Sequence, residues 1–271
     1  MRTPIWDDQS RPLYPLNEMD DWTREEHVRI SHFTSLPALE RALRKTSAAL
    51  SLHVDILSTK NLRAVLETLR CGVFTNLRAL FIGNLLFDKH VEQLTEALQR
   101  HMPYLQQLRV AFFVKEVMPA STLLRCLKGF PITALSISRW GGFSDELALD
   151  FCELLHTKQD SLQALEVNSD FSFPLNKVIQ LPNLEVFRVE RATLLALQTE
   201  LLCKMLEMMP RLRHVTVVPD KMSLKVLCAF FRSSYRSIRE LNLISSFQLP
   251  LELLESLKKK HTTSSAALLS I

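Results

Sequence analysis

The chain has 271 residues, is 47% hydrophobic and 23% charged, and carries 33 basic against 29 acidic side chains. This balance excludes an intrinsically disordered polymer and indicates a substantial buried core. The formal charge of +4 is too small to point to nucleic acid as a partner. No apolar run reaches the length of about 18 residues that would predict a membrane span.

The N-terminal segment does not read as a secretory signal. Its sequence, MRTPIWDDQSRPLYPLNEMDD, is acidic, contains proline and lacks an apolar stretch. We expect residues 1–46 to form a partly irregular cap segment at the end of the fold, where apolar surface would otherwise be open.

The cysteines favour a reducing compartment. They are odd in number, widely spaced and without a C-x-x-C pair, which indicates free thiols in the cytoplasm or nucleus. We expect them to pack as small hydrophobic side chains. They are Cys71, Cys126, Cys152, Cys203 and Cys228.

A six-residue pattern, h-x-x-h-x-h with h apolar, recurs along residues 47–271. From Leu77 onward its starts lie 28, 27, 30, 22, 28 and 26 residues apart. Weaker copies, SAALSL from Ser47 and AALLSI from Ala266, extend the series. The clear copies are LRALFI (Leu77), LQQLRV (Leu105), ITALSI (Ile132), LQALEV (Leu162), LEVFRV (Leu184), LRHVTV (Leu212) and IRELNL (Ile238). This recurrence predicts a stack of about nine strand units.

Each copy predicts a short strand, because its fourth and sixth residues alternate and point to one face. The segments between copies have apolar residues three or four apart, which is typical of helices, and Asp88 and Ser144 are candidate N-caps. We expect helices to end near Met102, Leu181 and Met209, since a proline follows each and cannot extend a helix.

Strand and helix in every unit predict an α/β solenoid, with parallel strands on a concave face and helices on a convex face. Each unit would bury its apolar face against its neighbours, so the stack would fold as one domain. A doubly wound α/β sheet also alternates strand and helix. Two features disfavour it: one strand motif recurs in every unit, and no glycine-rich phosphate loop follows any strand.

The unit resembles the leucine-rich repeat, L-x-x-L-x-L-x-x-N/C-x-L, over residues 47–271. The Asn/Cys position is not kept in four copies, so the side-chain ladder of that family is missing there. The segments MPYLQQL, LPNLEVF and MPRLRHV look most like the repeat region of fungal and plant F-box leucine-rich-repeat proteins. The resemblance implies a ribonuclease-inhibitor-like horseshoe and a role in substrate recognition for a ubiquitin-ligase adaptor.

The segment Leu36-Pro37-Ala38-Leu39-Glu40 is similar to the start of an F-box. The strand-like stretch SLHVDIL begins at Ser51, which leaves too little chain for the three helices that an F-box has in that family. We therefore interpret Leu36–Leu43 as a helix or turn of the first repeat. The F-box itself is expected to be absent or degenerate.

The sequence contains none of the motifs that carry common enzyme chemistry. There is no H-E-x-x-H, no histidine and cysteine cluster at ligand spacing, no G-x-S-x-G and no P-loop. We expect a non-catalytic protein-binding scaffold without metal or cofactor. Two alternatives stay open: a hydrolase or nucleotide-binding enzyme of the α/β class without a recognisable motif, and an RNA-binding solenoid.

Positions three, five and seven of each strand should face away from the helices. The central row, at position five, reads Ser51, Phe81, Arg109, Ser136, Glu166, Arg188, Thr216, Asn242 and Ser270. The row is either a solvated ladder of weak ion pairs or a landing patch for a protein partner. The candidate partner-binding residues are Phe81, Arg109, Glu166, Arg188, Glu190 and His214, with Trp140 in a glycine-containing loop. Neither the partner nor the oligomeric state is indicated.

Overall fold

Parallel strands alternate with helices in the computed structural model, so the fold belongs to the α/β class, as the sequence predicts. The chain divides into two compact units, Met1–Leu135 and Ser136–Ile271. The structure describes residues 27–30, 36–45, 47–54, 59–85, 87–112, 117–139, 144–169, 178–190, 196–217, 240–243 and 268–270.

The described elements of the two units are as follows. Unit 1 contains β1 (His27–Ile30), α1 (Leu36–Lys45), β2 (Ser51–Val54), α2 (Thr59–Arg70), β3 (Ala79–Leu85), α3 (Asp88–His101), β4 (Gln107–Phe112) and α4 (Val117–Leu127). Strand β5 (Ala134–Arg139) contains the boundary. Unit 2 contains α5 (Asp145–Thr157), β6 (Ala164–Ser169), β7 (Val186–Glu190), α6 (Ala196–Glu207), β8 (His214–Val217), β9 (Glu240–Leu243) and β10 (Leu268–Ser270).

Within each unit the strands are hydrogen-bonded in chain order and run parallel. Strands β1 to β4 pair consecutively in unit 1, and β6 to β10 do so in unit 2. A doubly wound sheet reverses its strand order, and neither series contains a reversal. Crossovers that all advance in one direction place their helices on one face of the sheet. In unit 1, helices α1 to α4 pack consecutively. This arrangement is compatible with a solenoid.

The apolar positions of the pattern form the core. The residues at positions one, four and six are each at most 1% exposed in the copies that start at Leu77, Leu105, Ile132, Leu162, Leu184 and Leu212. Helix α3 adds Val91, Leu94 and Leu98, and helix α5 adds Leu147, Phe151, Leu154 and Leu155, all of them buried. The predicted inward-facing positions are confirmed for these copies.

A pair of backbone hydrogen bonds recurs at the start of the strands. The amides of Arg78 and Ala79, the second and third residues of their copy, both donate to the carbonyl of Leu50, at 2.8 and 3.0 Å. In each further case the acceptor is the second residue of the preceding copy. These pairs are Gln106 and Gln107 to Arg78, Thr133 and Ala134 to Gln106, Glu185 and Val186 to Gln163, and Arg213 and His214 to Glu185. The repeat seen in the sequence is thus also a repeat of backbone contacts.

A tight turn with proline at its second position precedes three of the strands. The amide of the first leucine of the copy donates to the carbonyl three residues earlier. The pairs are Leu105 to Met102 at 3.2 Å, Leu184 to Leu181 at 3.1 Å and Leu212 to Met209 at 3.1 Å. Proline suits the second position of such a turn because its φ is already set near the required value.

The helix ends match two of the three predictions. Helix α3 ends at His101, next to Met102, and helix α6 ends at Glu207, just before Met209. The helix end expected near Leu181 is wrong, because residues 178–181 are not helical. The copies before and after this segment start only 22 residues apart, which is the shortest spacing among the clear copies. This spacing leaves little chain for a helix.

The register corrects the first copy of the pattern. Leu52 of β2 is paired with Leu80 of β3, so this copy starts at Ala49 and not at Ser47. His53, rather than Ser51, therefore holds position five. Strand β1 adds a further unit within the N-terminal segment, since Val28 is paired with Leu52. The pattern missed it because Glu25 stands where the first apolar residue would be.

The two N-cap predictions have different outcomes. The Ser144 hydroxyl accepts a hydrogen bond from the Leu147 amide at 3.3 Å, which confirms it as the cap of α5. Asp88 is the first residue of α3 rather than its cap. The cap position is held by Phe87, whose side chain cannot accept a hydrogen bond. Asp88 still suits the positive end of the helix dipole.

Helix α1 covers the segment Leu36–Leu43 that we interpreted as a helix or turn of the first repeat. Its residues Leu39 and Leu43 are fully buried, so the helix contributes to the core of unit 1. Of the helices in the described part of the chain, none is long and apolar enough to cross a membrane.

Two glycines allow a matched stability test. Gly72 has a φ of 71°, and a Cβ there would lie 2.9 Å from His101 Nδ1. Gly72→Ala should therefore lower the free energy of unfolding by about 1–2 kcal/mol, since L residues are strained in this region. Gly83→Ala is the control, because a Cβ there meets no atom within 4 Å. Urea denaturation followed by circular dichroism measures both variants.

A second substitution separates the two causes. His101→Ala in the Gly72→Ala background removes the contact with the new Cβ and leaves the backbone strain. It should recover part of the lost stability. Equal stability of Gly72→Ala and Gly83→Ala would contradict this account of the turn.

Candidate functional site

The strand face is the surface formed by positions three, five and seven of each copy, opposite the buried positions four and six. In unit 1 the parallel register places His53, Phe81 and Arg109 side by side at position five. Neighbouring strands are about 4.8 Å apart, so the three side chains form one continuous row. All three are half-buried. We call them the unit-1 row.

The unit-1 row contains an aromatic pair. The ring centroids of His53 and Phe81 are 5.5 Å apart and their planes are inclined by 40°. This distance lies in the favourable range for aromatic pairs, which contribute about 0.5–1.5 kcal/mol beyond the burial of their area. The pair therefore holds Phe81 in place while leaving part of its surface accessible.

Among the described residues, small or neutral side chains border Phe81 and Arg109. Position three is held by Ser51, Ala79 and Gln107, all buried, and position seven by Gly83 and Ala111, both half-buried. The register shifts between Ile82 and Leu85, which marks a β-bulge beside Phe81. Among the described residues, a Cβ on Gly83 would meet nothing within 4 Å, so there is open space at this position.

Four of the position-five residues of unit 2 are buried. Glu166 is 2% exposed, Arg188 3% and Thr216 3%, and the register places each next to the following one. Ser136 is 0% exposed. Of the two interpretations of the central row, a solvated ladder is therefore excluded for these four residues. Sequence pattern alone gives the direction of a side chain and not what covers it.

The polar groups around Glu166 are partly satisfied. The Asn168 side-chain nitrogen Nδ2 donates to Glu166 Oε1 at 3.2 Å. Asn168 Oδ1 and Arg188 Nε are buried without a hydrogen-bond partner. A buried charge is tolerated only next to compensating groups, and the register places Glu166 beside Arg188. Because both side chains are buried, Glu166 and Arg188 affect the stability of unit 2 and are not exposed contact residues for a partner.

The remaining candidate residues are placed as follows. His214 lies at position three of β8 and is half-buried. Glu190 is the last residue of β7 and is paired with Asn168 in the register. Trp140 lies outside the described residues. The structure thus brings Phe81 and Arg109 together on unit 1, and Glu166, Arg188 and His214 on unit 2.

Sequence reasoning missed His53 and Gly83. His53 was overlooked because the first copy was aligned two residues too early. Placing Leu52 and Val54, both buried, at positions four and six would have found it. Gly83 carries no side chain and so no signal of its own. Its role follows from the bulge and the open space beside it.

The thiols of Cys126 and Cys203 are weak nucleophiles at neutral pH. Burial raises the pKa of the Cys126 thiol to about 11, although a hydrogen bond with Gln99 acts in the other direction. Burial, followed by repulsion from Glu207 and Glu200, raises the pKa of Cys203 to about 11. A thiol with such a pKa is almost fully protonated at neutral pH and is a poor nucleophile.

His90 lies in α3, away from the strand face. Burial and then the nearby Arg63 lower its pKa, so the imidazole is kept neutral. Its ring meets that of the exposed Phe87 edge-on, with centroids 5.2 Å apart. In the part of the chain that the structure describes, no three His, Cys, Asp or Glu residues are grouped closely enough to hold a metal ion.

Comparison of the sequence with protein-family models and with curated proteins finds no match to either.

The buried charges of unit 2 can be tested by removing one of them. Arg188→Met keeps the apolar stem and leaves the Glu166 carboxylate buried without its cationic neighbour. We expect the free energy of unfolding to fall by about 3 kcal/mol. The double variant Arg188→Met with Glu166→Gln should recover a large part of this loss. Urea denaturation followed by circular dichroism gives both values.

Arg109→Met is the matched control, because Arg109 is half-buried and its charge can be solvated. Its loss should stay within about 0.5 kcal/mol. Equal losses for Arg188→Met and Arg109→Met would contradict the distinction between the two strand faces.

The cysteine pKa values predict an order of alkylation. Exposed Cys71 should react first with N-ethylmaleimide at pH 7.5. Cys126 and Cys203 should react at least about 100-fold more slowly, because only a small fraction of each thiol is ionised. Their rates should rise as the pH approaches 11. Peptide mass spectrometry follows each site. In urea the difference should vanish, and equally fast labelling in the folded protein would contradict the prediction.

Proposed function

We propose that the chain is a leucine-rich-repeat solenoid, a horseshoe with parallel strands on its concave face and helices on its convex face. It acts as a non-catalytic scaffold that binds a protein partner. Two observations support this: the recurring backbone hydrogen bonds at the strand starts, and the burial of positions one, four and six. A stack of this kind covers one face of its sheet with helices and leaves the other for binding.

The observation that carries the proposal is the unit-1 row. Phe81 and Arg109 lie side by side in the register of β3 and β4, and both are half-buried. Aromatic residues and arginine are enriched at the energetic centres of protein interfaces. The neighbouring His53 ring restrains Phe81, so less conformational entropy is lost when a partner binds.

The more specific role follows from the resemblance to F-box leucine-rich-repeat proteins. In this form of the proposal the chain is the substrate-recognition part of an F-box-type ubiquitin-ligase adaptor in the cytoplasm or nucleus. The only support for this role is the sequence pattern. Helix α1 is a single helix of ten residues, and β2 follows at Ser51. We therefore expect the described part of the chain to bind substrate and not the adaptor that holds F-boxes.

The test is an affinity capture from host-cell lysate with the wild-type chain and the variant Phe81→Ala/Arg109→Glu. Loss of the aromatic surface and reversal of the charge should lower recovery of the specific partner by at least about tenfold. Quantitative mass spectrometry measures the recovery. The F-box-binding adaptor is not expected among the captured proteins.

The matched control is Phe87→Ala/Arg78→Glu, which makes the same chemical changes at two exposed residues outside position five. It should recover the partner as well as wild type does. Circular dichroism and thermal unfolding confirm that the variants are folded. Equal recovery of every captured protein by both double variants would refute binding at the unit-1 row.

A further inference from the structure

Helices α1 and α2 of unit 1 present a basic surface. The two helices pack against each other, and Glu40 and Glu67 are their acidic residues. Glu67 is paired with Arg70 at 3.0 Å. The ion pairs of the described residues do not include the exposed cations of the two helices. We call these cations the basic helix face: Arg41, Arg44, Lys45, Lys60 and Arg63.

Helix α5 of unit 2 presents the opposite charge. Its sequence contains no lysine or arginine. Asp145, Glu146 and Glu153 are exposed, and they surround Leu149, which is 58% exposed. Their spacing of three, four and eight residues places these side chains on one side of the helix. We call these four residues the acidic helix face.

The two faces match in spacing as well as in charge. At a rise of about 1.5 Å per residue, Asp145 and Glu153 are about 12 Å apart along α5. Packed helices such as α1 and α2 have axes about 8–10 Å apart. A helix laid over both of them therefore brings carboxylates within reach of cations on each. Leu149 would then lie on the aliphatic stems of side chains such as Arg41.

We propose that the basic helix face of one copy of the chain binds the acidic helix face of a second copy. The contact joins two different surfaces, so each bound copy keeps one face free for a further copy. This association is separate from binding of a partner at the strand face. The interface is one helix against two, which is small, so the association is weak and reversible.

A second copy fits the basic helix face better than a nucleic acid or an anionic lipid surface does. An apolar centre within a charged rim is typical of protein interfaces, and Leu149 with its surrounding carboxylates provides one. A polyanion would contact the cations alone and leave Leu149 exposed. The formal charge of +4 causes only weak repulsion between two copies.

Sedimentation velocity of the full chain over a range of concentrations tests the association. At about 50 mM salt the sedimentation coefficient should rise with protein concentration, and at about 0.5 M salt it should stay that of the monomer, because salt screens exposed charges. A wild-type chain that stays monomeric at both salt concentrations overturns the inference.

Two charge variants then locate the faces. The basic-face variant is Arg41→Glu/Lys60→Glu, and the acidic-face variant is Glu146→Lys/Leu149→Lys. Each should raise the dissociation constant of self-association by at least about tenfold. An equimolar mixture should form a one-to-one dimer and nothing larger, since each variant keeps the face that the other has lost. Failure of the mixture to dimerise refutes head-to-tail contact.

Controls separate this inference from the proposed function. Arg78→Glu/Arg211→Glu reverses two exposed charges outside both faces and should self-associate as wild type does. The strand-face variant Phe81→Ala/Arg109→Glu should also do so. Circular dichroism and thermal unfolding check that every variant is folded.

Two further outcomes count against the inference. Equal loss of association in the Arg78→Glu/Arg211→Glu control shows that net charge and not the two faces is responsible. Binding of oligouridylate or of vesicles with anionic lipid by a monomeric wild-type chain, lost in Arg41→Glu/Lys60→Glu, assigns the basic helix face to a different partner. Neither outcome affects binding at the unit-1 row.

Discussion

The shared carbonyl at the start of each strand is the contact on which the rest of the structure depends. In each case the second residue of one copy accepts hydrogen bonds from the second and third residues of the next, as Leu50 does from Arg78 and Ala79. Two donors on one acceptor set both the distance and the register of the strands. The apolar fourth and sixth residues then line up across the sheet. Leu85, which stands where the leucine-rich repeat has its Asn or Cys, is fully buried. The backbone contact at the strand start therefore fixes the order of the strands without a polar side chain at Leu85.

That register decides which residues meet on the opposite face. Because position five of one strand lies beside position five of the next in the paired strands, residues 22 to 28 positions apart in sequence become neighbours. Phe81 and Arg109 meet in this way, and so do Glu166 and Arg188. Each repeat thus contributes one residue to the central row of the strand face. A single substitution there changes one position of the row, whereas a shift of the register would change all of them.

The sequence predicts the direction in which a side chain points better than it predicts which residues pack around that side chain. Positions four and six could be assigned because alternation and burial follow from the strand itself. The first copy was placed two residues early because SAALSL and the true copy from Ala49 both offer apolar residues. Strand β1 was missed because Glu25 breaks the pattern. The burial of Glu166 and Arg188 could not be predicted, since it depends on what packs above the strand. Asp88 satisfied the rule for an N-cap, yet it is the first residue of the helix, and Phe87 holds the cap position.

The strand faces of the two units differ in what their charges can do. In unit 2 the carboxylate and the guanidinium are withdrawn from water, and buried polar atoms such as Arg188 Nε have no hydrogen-bond partner. A partner that bound these groups would first have to separate them from the residues that now bury them, and this cost would reduce the binding free energy. In unit 1 Arg109 stands beside an aromatic pair that restrains Phe81, and the open space at Gly83 needs no rearrangement to be filled. Binding of a partner is favoured where the side chains are conformationally restrained but not buried. The same repeat geometry therefore supports a charge-containing core in unit 2 and an accessible row in unit 1, and the residue at position five decides between them.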